Sequence, residues 1–174
     1  MAWIAAAFAL LLALPAAAAV IELPPGTGEL ALSPHVTYHH DTTGTASLDD
    51  AWRRLEAGGF APLPGGNPAF GFQSGAFWVH ARVVNRDPRE PRWLMVQTYP
   101  LSDHLDVYLR YPDGRIDHQT GGDTLPFGER AIRYRHPNVL LERPADVPVD
   151  ILLRVQSQSS MQVPLVLFTP SAVT

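Results

Sequence analysis

The sequence predicts an all-β fold, an antiparallel sandwich with one short N-terminal helix. Its 17 prolines and 13 glycines among 174 residues disfavour long helices and supply many turns. Seven strand-like segments fall within roughly 90 residues after residue 76, at the regular spacing that is typical of a sandwich. Strands do not alternate with helices, so a parallel α/β sheet is not expected.

The composition excludes several classes of function. Hydrophobic residues make up 46% and charged residues 17% of the chain, which indicates a globular protein. The net charge of −4 disfavours a nucleic-acid partner. Cysteine is absent, which excludes disulfides and thiolate metal sites, and all 13 basic residues are arginine, which excludes lysine Schiff-base chemistry. We therefore expect no cofactor.

The N-terminus has the pattern of an export signal. Residues 3–14 form an uncharged apolar run, and small residues at Ala17 and Ala19 follow it. This pattern predicts a secretory signal peptide over residues 1–19, with cleavage after Ala19. The run is shorter than the about 20 residues of a spanning helix. An uncleaved anchor or a buried helix is the alternative, and the bacterial periplasm is the expected location.

The first part of the mature chain contains one helix. Residues 20–34 are rich in proline and glycine and predict an extended leader, and residues 35–40 predict a strand. A helix is predicted over residues 47–55, with Ser47 and Asp50 as a capping box and an apolar side of Leu48, Ala51, Trp52 and Leu55. Residues 60–75 predict a loop with one short strand around residues 70–72.

The remainder of the chain predicts the strands of the sandwich. Their predicted ranges are 77–85, 92–99, 104–111, 115–120, 136–142, 149–156 and 162–168. A turn at Pro112, Asp113 and Gly114 joins the third and fourth strands as a hairpin.

Side chains alternate between the faces of a strand, so residue parity separates an apolar face from a polar and aromatic one. The apolar face receives Phe77, Val79, Ala81, Val83, Leu105, Val107, Leu109, Ile151, Leu153 and Val155. The other receives Trp78, His80, Arg82, Asp106, Tyr108, Arg110, Leu152, Arg154 and Gln156. This second face is either a solvated outer surface or a platform for a ligand with apolar ring faces and a hydroxylated rim.

Four residues of the polar face are candidate ligand contacts: Trp78, Arg82, Tyr108 and Arg154. Asp123 and Arg130 are two further candidates, in the segment that joins the fourth and fifth strands. Either this pair pins an ordered crossover loop, or it lines a ligand pocket at the end of the sandwich. Adjacent strand residues point to opposite faces, so His39 and His40 are not expected to share a metal ion. No catalytic constellation stands out, and we expect no enzyme.

Several segments together resemble a known family. They are residues 77–85 (Phe-Trp-Val-His-Ala-Arg-Val-Val-Asn), residues 105–109 (Leu-Asp-Val-Tyr-Leu), Gly122-Asp123 with Pro126-Phe127 and Arg130, residues 152–157, and Val163-Pro164-Leu165. In order and spacing they are similar to the type 2 extracellular sensor domain of bacterial seven-transmembrane receptors with diverse intracellular signalling modules (7TMR-DISM). The similarity extends over residues 35–170.

The resemblance implies a jelly-roll-like sandwich akin to carbohydrate-binding modules and a periplasmic sensor of a small, carbohydrate-like ligand. In the family, this domain precedes seven membrane spans and a cytoplasmic output module. Since the sequence reaches Thr174 without such a span, it predicts either a receptor fragment or a stand-alone exported domain.

We therefore expect a non-catalytic ligand-sensing input module of a membrane receptor, joined to that receptor in cis or in trans. A protein-interaction module or an exported accessory binding protein is the first alternative. A small exported glycan hydrolase is the second, and it requires two carboxylates roughly 5–10 Å apart.

Overall fold

The structure is a computed structural model that describes residues 19–67, 69–98, 104–121, 138–142, 144–158 and 160–172. The predicted signal peptide lies outside these residues except for Ala19. The predicted contacts Asp123 and Arg130 also lie outside them. The described residues form one α-helix, α1 (Leu48–Glu56), and thirteen strands. The strands are β1 (Val20–Leu23), β2 (Glu29–Ala31), β3 (Thr37–Asp41), β4 (Ala61–Pro62), β5 (Ala69–Phe72), β6 (Ala76–Asn85), β7 (Arg92–Gln97), β8 (His104–Arg110), β9 (Ile116–Gly121), β10 (Asn138–Glu142), β11 (Pro148–Gln156), β12 (Ser160–Gln162) and β13 (Leu165–Phe168).

The strands form two main sheets, which confirms the predicted all-β sandwich. The first sheet has the order β4-β3-β6-β11-β8-β9, and β1 also pairs with β6. The second has the order β10-β7-β13-β2, and β5 and β12 form a separate two-stranded ladder. Apart from the parallel pairing of β1 with β6, all pairings between described strands are antiparallel. Residues 20–34 thus contribute one strand to each main sheet.

The core between the two sheets contains the apolar face that parity predicts. Val79 of β6, Val107 of β8 and Leu153 of β11 are each at most 1% exposed, and they pack in one cluster with Trp93 of β7 and Leu167 of β13. Removing such side chains from water stabilises the fold by about 1.5–3 kcal/mol each. This core orients the opposite face of the first sheet outward.

One predicted strand is divided in the structure. The sequence predicts a single strand over residues 162–168, whereas β12 ends at Gln162 and β13 begins at Leu165. Pro164 lies between them and has no backbone N–H to donate to a ladder. The division lets β12 pair with β5 and β13 pair with β7 and β2.

Helix α1 begins as the sequence predicts. The Ser47 hydroxyl accepts a hydrogen bond from the Asp50 amide at 3.1 Å, and the Asp50 carboxylate accepts one from the Ser47 amide at 2.9 Å. These two bonds satisfy N–H groups that the first turn of a helix leaves without partners. The chain leaves the helix at Gly58, whose φ of +76° glycine adopts without strain.

The loop of residues 41–46 joins β3 to α1 and is held firmly. The buried Asp41 carboxylate accepts hydrogen bonds from the Thr43 amide, the Thr43 hydroxyl and the Ala46 amide. Burial raises the pKa of Asp41, but these hydrogen bonds outweigh it and leave the pKa below its usual range. Gly44 of this loop packs against the backbone of Gly75, which places the loop directly on the start of β6.

Candidate functional site

Helix α1 covers part of the polar and aromatic face of the first sheet. Trp52 and Ala51 of the helix form a second buried cluster with Trp78 of β6 and Leu152 of β11. Trp78 is 1% exposed, so its indole packs under the helix and is not open to a surface ligand. This face is therefore neither fully solvated nor an open ligand platform, because the apolar side of α1 covers its apolar side chains.

The order of strands places four sequence-predicted residues on one face. In the registers of β11, Arg154 lies opposite Trp78 and Asp106, Leu152 lies opposite His80 and Tyr108, and Asp150 lies opposite Arg82 and Arg110. Trp78, Arg82, Tyr108 and Arg154 therefore share one face of the sheet across β6, β11 and β8. Their surroundings differ, and only Arg82 borders the cleft described below.

Arg154 and Tyr108 have contacts of their own within the protein. The Arg154 guanidinium donates a hydrogen bond to the Gly44 carbonyl at 2.9 Å, which braces the 41–46 loop. The Tyr108 ring stacks on His118 with a centroid distance of 4.4 Å. Burial raises the pKa of Tyr108, the Asp106 carboxylate raises it further, and Arg154 opposes them.

A cleft of about 700 Å³ opens between α1 and the first sheet. Trp52 and Glu56 border it on the helix side, and His80, Arg82, Arg110 and Asp150 border it on the sheet side. Its size lies in the usual range for small-molecule sites, which are concave and carry a few convergent polar groups.

Two ion-paired groups define the charge of the cleft. On the sheet side, His80 Nε2 lies 2.9 Å from Asp150 Oδ1, and Arg82 Nε lies 3.4 Å from the same oxygen. Near the end of α1, Arg110 Nη1 lies 3.2 Å from Glu56 Oε1. The Arg110 guanidinium also lies 4.9 Å from the centre of the Trp52 ring, a cation–π contact.

Three buried polar atoms lie at the border of the cleft. Trp52 Nε1, Thr37 Oγ1 and Arg82 Nε are buried and have no hydrogen-bond partner among the described residues. Leaving a buried polar group without a partner costs about 1–3 kcal/mol. Trp52 Nε1 and Arg82 Nε are donors only, so acceptor oxygens that reach the inner wall would satisfy them.

A second concavity, of about 590 Å³, lies at one end of the sandwich. It is bordered by Phe72, which is 80% exposed, together with His104 and Gln156. Among the described residues that border it there is neither a carboxylate nor an arginine, and none of the buried donors that lack a hydrogen bond. We therefore place the candidate site in the cleft beneath α1.

Of the residues that border the cleft, Arg82 is a sequence-predicted contact. The sequence places Trp52 on the apolar side of the helix and predicts no contact at His80, Arg110 or Asp150. Asp150 shares its strand parity with Leu152 and Arg154, so the same rule that selected Arg154 could have selected it. His39 and His40 lie apart, as predicted: the His39 ring lies near Phe60, whereas His40 stacks on Phe77.

A comparison with models of protein families assigns the chain to a family. The model of the family described as 7TMR-DISM extracellular 2 matches residues 33–169, which is most of the chain. No curated protein matches the sequence. In the part of the chain that the structure describes, no helix has the length and apolar character needed to cross a membrane.

Proposed function

Because the chain belongs to the 7TMR-DISM extracellular 2 family, we propose that it is the ligand-sensing input domain of a membrane signalling receptor. In this proposal the domain works in the bacterial periplasm after removal of residues 1–19, and the receptor module is joined to it in cis or in trans. The domain binds a small molecule and does not act on it chemically.

The ligand that we propose is small, polar and carbohydrate-like, and its site is the cleft beneath α1. The observation that carries this proposal is a pair of buried donors beside the cleft, Trp52 Nε1 and Arg82 Nε, that form no hydrogen bond with the described residues. A sugar presents acceptor oxygens around its rim and apolar ring faces, so it suits a wall that combines donors with an indole. Thr37 Oγ1 adds a hydroxyl that can donate or accept.

A sensing role also agrees with the state of the two carboxylates in the cleft. Glu56 is paired with Arg110, and Asp150 is paired with His80 and Arg82. Both carboxylates thus balance charges within the site, which favours binding over hydrolysis. A ligand can drive signalling only through a difference in its affinity for two states of the receptor. A ligand in the cleft would touch both α1 and the sheet, so it would shift the balance between two arrangements of the helix on the sheet.

The ligand proposal is tested by thermal unfolding and calorimetry of the purified chain with a panel of mono- and disaccharides. A compound present at 100 times its Kd should stabilise the protein by about 2.7 kcal/mol. For a chain of this size, that corresponds to a rise in Tm of roughly 5–10 °C. Trp52→Phe removes the indole N–H and should greatly weaken the response.

Trp93→Phe is the matched control for this variant. Trp93 is a fully buried tryptophan of β7 whose Nε1 also has no partner among the described residues, but it lies in the core between the sheets. This variant should lower the basal Tm and keep the ligand response. If no compound of the panel binds by calorimetry, or if Trp52→Phe binds as well as the parent, the proposed site is wrong.

The receptor proposal is tested by sequencing the gene beyond codon 174. An open frame that continues into seven apolar segments of about 20 residues supports signalling in cis. A stop codon at this point contradicts signalling in cis and supports an exported accessory binding protein.

A further inference from the structure

We infer that the ligand of the cleft carries a carboxylate that binds Arg82, as in a sugar acid such as a hexuronate. This inference rests on the proposed function and narrows the chemical class of its ligand. It follows from which donors at the cleft are already engaged and which are not.

Arg82 has more donors than the protein uses. Its guanidinium carries five N–H donors, and its contact with the described residues is the 3.4 Å approach of Nε to Asp150, which does not form a hydrogen bond. The side chain is 42% exposed, so the rest of the guanidinium can be reached from the cleft. The planar fork of arginine matches the two oxygens of a carboxylate, to which it can donate two parallel hydrogen bonds.

The other charged groups at the cleft are already engaged. Asp150 Oδ1, which lies nearest to Arg82, is 2.9 Å from His80 Nε2. Arg110 pairs with Glu56 and lies over the Trp52 ring. Of the two arginines that border the cleft, Arg82 has the weaker contacts, a 3.4 Å approach to Asp150 without a hydrogen bond, so we assign the acid group of the ligand to Arg82.

The balance of donors and acceptors favours a carboxylate over a further hydroxyl. Trp52 Nε1 and Arg82 Nε can only donate, and an ionised carboxylate only accepts, at about four lone-pair positions. A neutral sugar brings a donor with every hydroxyl acceptor. A phosphate carries nearly two negative charges, whereas Arg82 carries one positive charge, which it already shares with Asp150.

The experiment is calorimetry of the purified chain with two matched pairs of probes. D-glucuronate is compared with D-glucose, and D-galacturonate with D-galactose. Within at least one pair, the acid should bind about 10- to 100-fold more tightly than the neutral sugar, because its bonds to Arg82 are charge-assisted. Raising the salt concentration should reduce that preference and leave the binding of the neutral sugar nearly unchanged.

Arg82→Gln keeps a polar side chain and removes the charge and the fork, so it should abolish the preference for the acid. Arg89→Gln is the matched control, because Arg89 is 81% exposed, pairs with Asp87 and does not border the cleft. If Arg82→Gln fails to fold, Arg82→Lys keeps the charge without the fork and should lose most of the preference.

Different results overturn different statements. If acid and neutral sugars bind equally well and Trp52→Phe weakens both, the carboxylate inference is wrong and the proposed function stands. If the acid is preferred but Arg82→Gln leaves the preference intact, the assignment to Arg82 is wrong. If no sugar and no uronate binds, both the inference and the proposed ligand class are wrong.

Discussion

Replacing Gly75 with alanine should destabilise the protein much more than the same change at Gly114. Both residues have a positive φ, +81° at Gly75 and +87° at Gly114. They differ in the space around them. A Cβ atom at Gly75 would lie 2.1 Å from the Asp41 carbonyl oxygen and 2.8 Å from the Thr42 carbonyl carbon, whereas no atom lies within 4 Å of one at Gly114.

The two changes share a conformational term and differ in a steric one. Holding alanine in a left-handed conformation costs about 1–2 kcal/mol, and the stiffer unfolded chain offsets about 0.4–1 kcal/mol of it. Gly114→Ala should therefore lower the free energy of unfolding by about 1 kcal/mol. At Gly75 the new methyl group meets backbone atoms, and forcing the backbone apart adds about 1–3 kcal/mol. The total at Gly75 is about 2–4 kcal/mol.

The assay is urea unfolding of the parent and both variants, with thermal unfolding as a second measurement. Each kcal/mol should lower Tm by about 2–4 °C, so Gly75→Ala should melt roughly 5–15 °C below the parent. The dependence of the unfolding free energy on urea should be the same for all three proteins, because the surface exposed on unfolding is unchanged. Equal losses at Gly75 and Gly114 would refute the argument from close contact.

Three further predictions follow from the fold. Trp52→Ala should detach α1 from the sheet, so hydrogen exchange should accelerate in residues 48–56 while the free energy of unfolding of the sandwich changes little. In contrast, Leu153→Ala should lower the free energy of unfolding of the whole domain by about 2–5 kcal/mol, measured by urea unfolding. Ser47→Ala removes the cap of α1 and should destabilise the helix by about 1 kcal/mol, seen as faster exchange of its first amides, whereas Ser47→Asp should restore protection. In the folded protein the pKa of Asp41 is below its usual range, so the ionised carboxylate stabilises the native state above about pH 4. This contribution is lost as the pH falls below that value. Asp41→Asn should therefore make stability depend less on pH in the acid range, and an unchanged dependence would count against this.

The sequence alone determines which side of each long strand faces the core. Phe77, Val79, Ala81 and Val83 all lie in the core between the sheets, because side chains alternate along a strand whatever its neighbours are. The start of α1 is equally local, since the Ser47–Asp50 capping box depends on residues only three apart. Features of this kind need no knowledge of how distant segments meet.

The cleft depends on contacts between segments that are distant in the sequence. The alternation of side chains along a strand does not predict such contacts. Trp52 and Trp78 meet only because α1 folds back over β6, and the order of strands brings Asp150 between Arg82 and Arg110. One signal was present in the sequence. Leu152 is an apolar residue on the otherwise polar side of its strand, and together with Trp78 it indicates that something apolar covers this face.

The N-terminal end of α1 is attached to the sandwich more firmly than its C-terminal end. The 41–46 loop before the helix is fixed by the hydrogen bonds of Asp41, by the packing of Gly44 on Gly75 and by Arg154. Near the other end of the helix, the Arg110–Glu56 ion pair is partly exposed, and pairs of this kind contribute about 0–1 kcal/mol. A swing of the helix about its first turn would move Glu56 farthest, so a small change deep in the cleft would cause a larger displacement at the C-terminal end of α1.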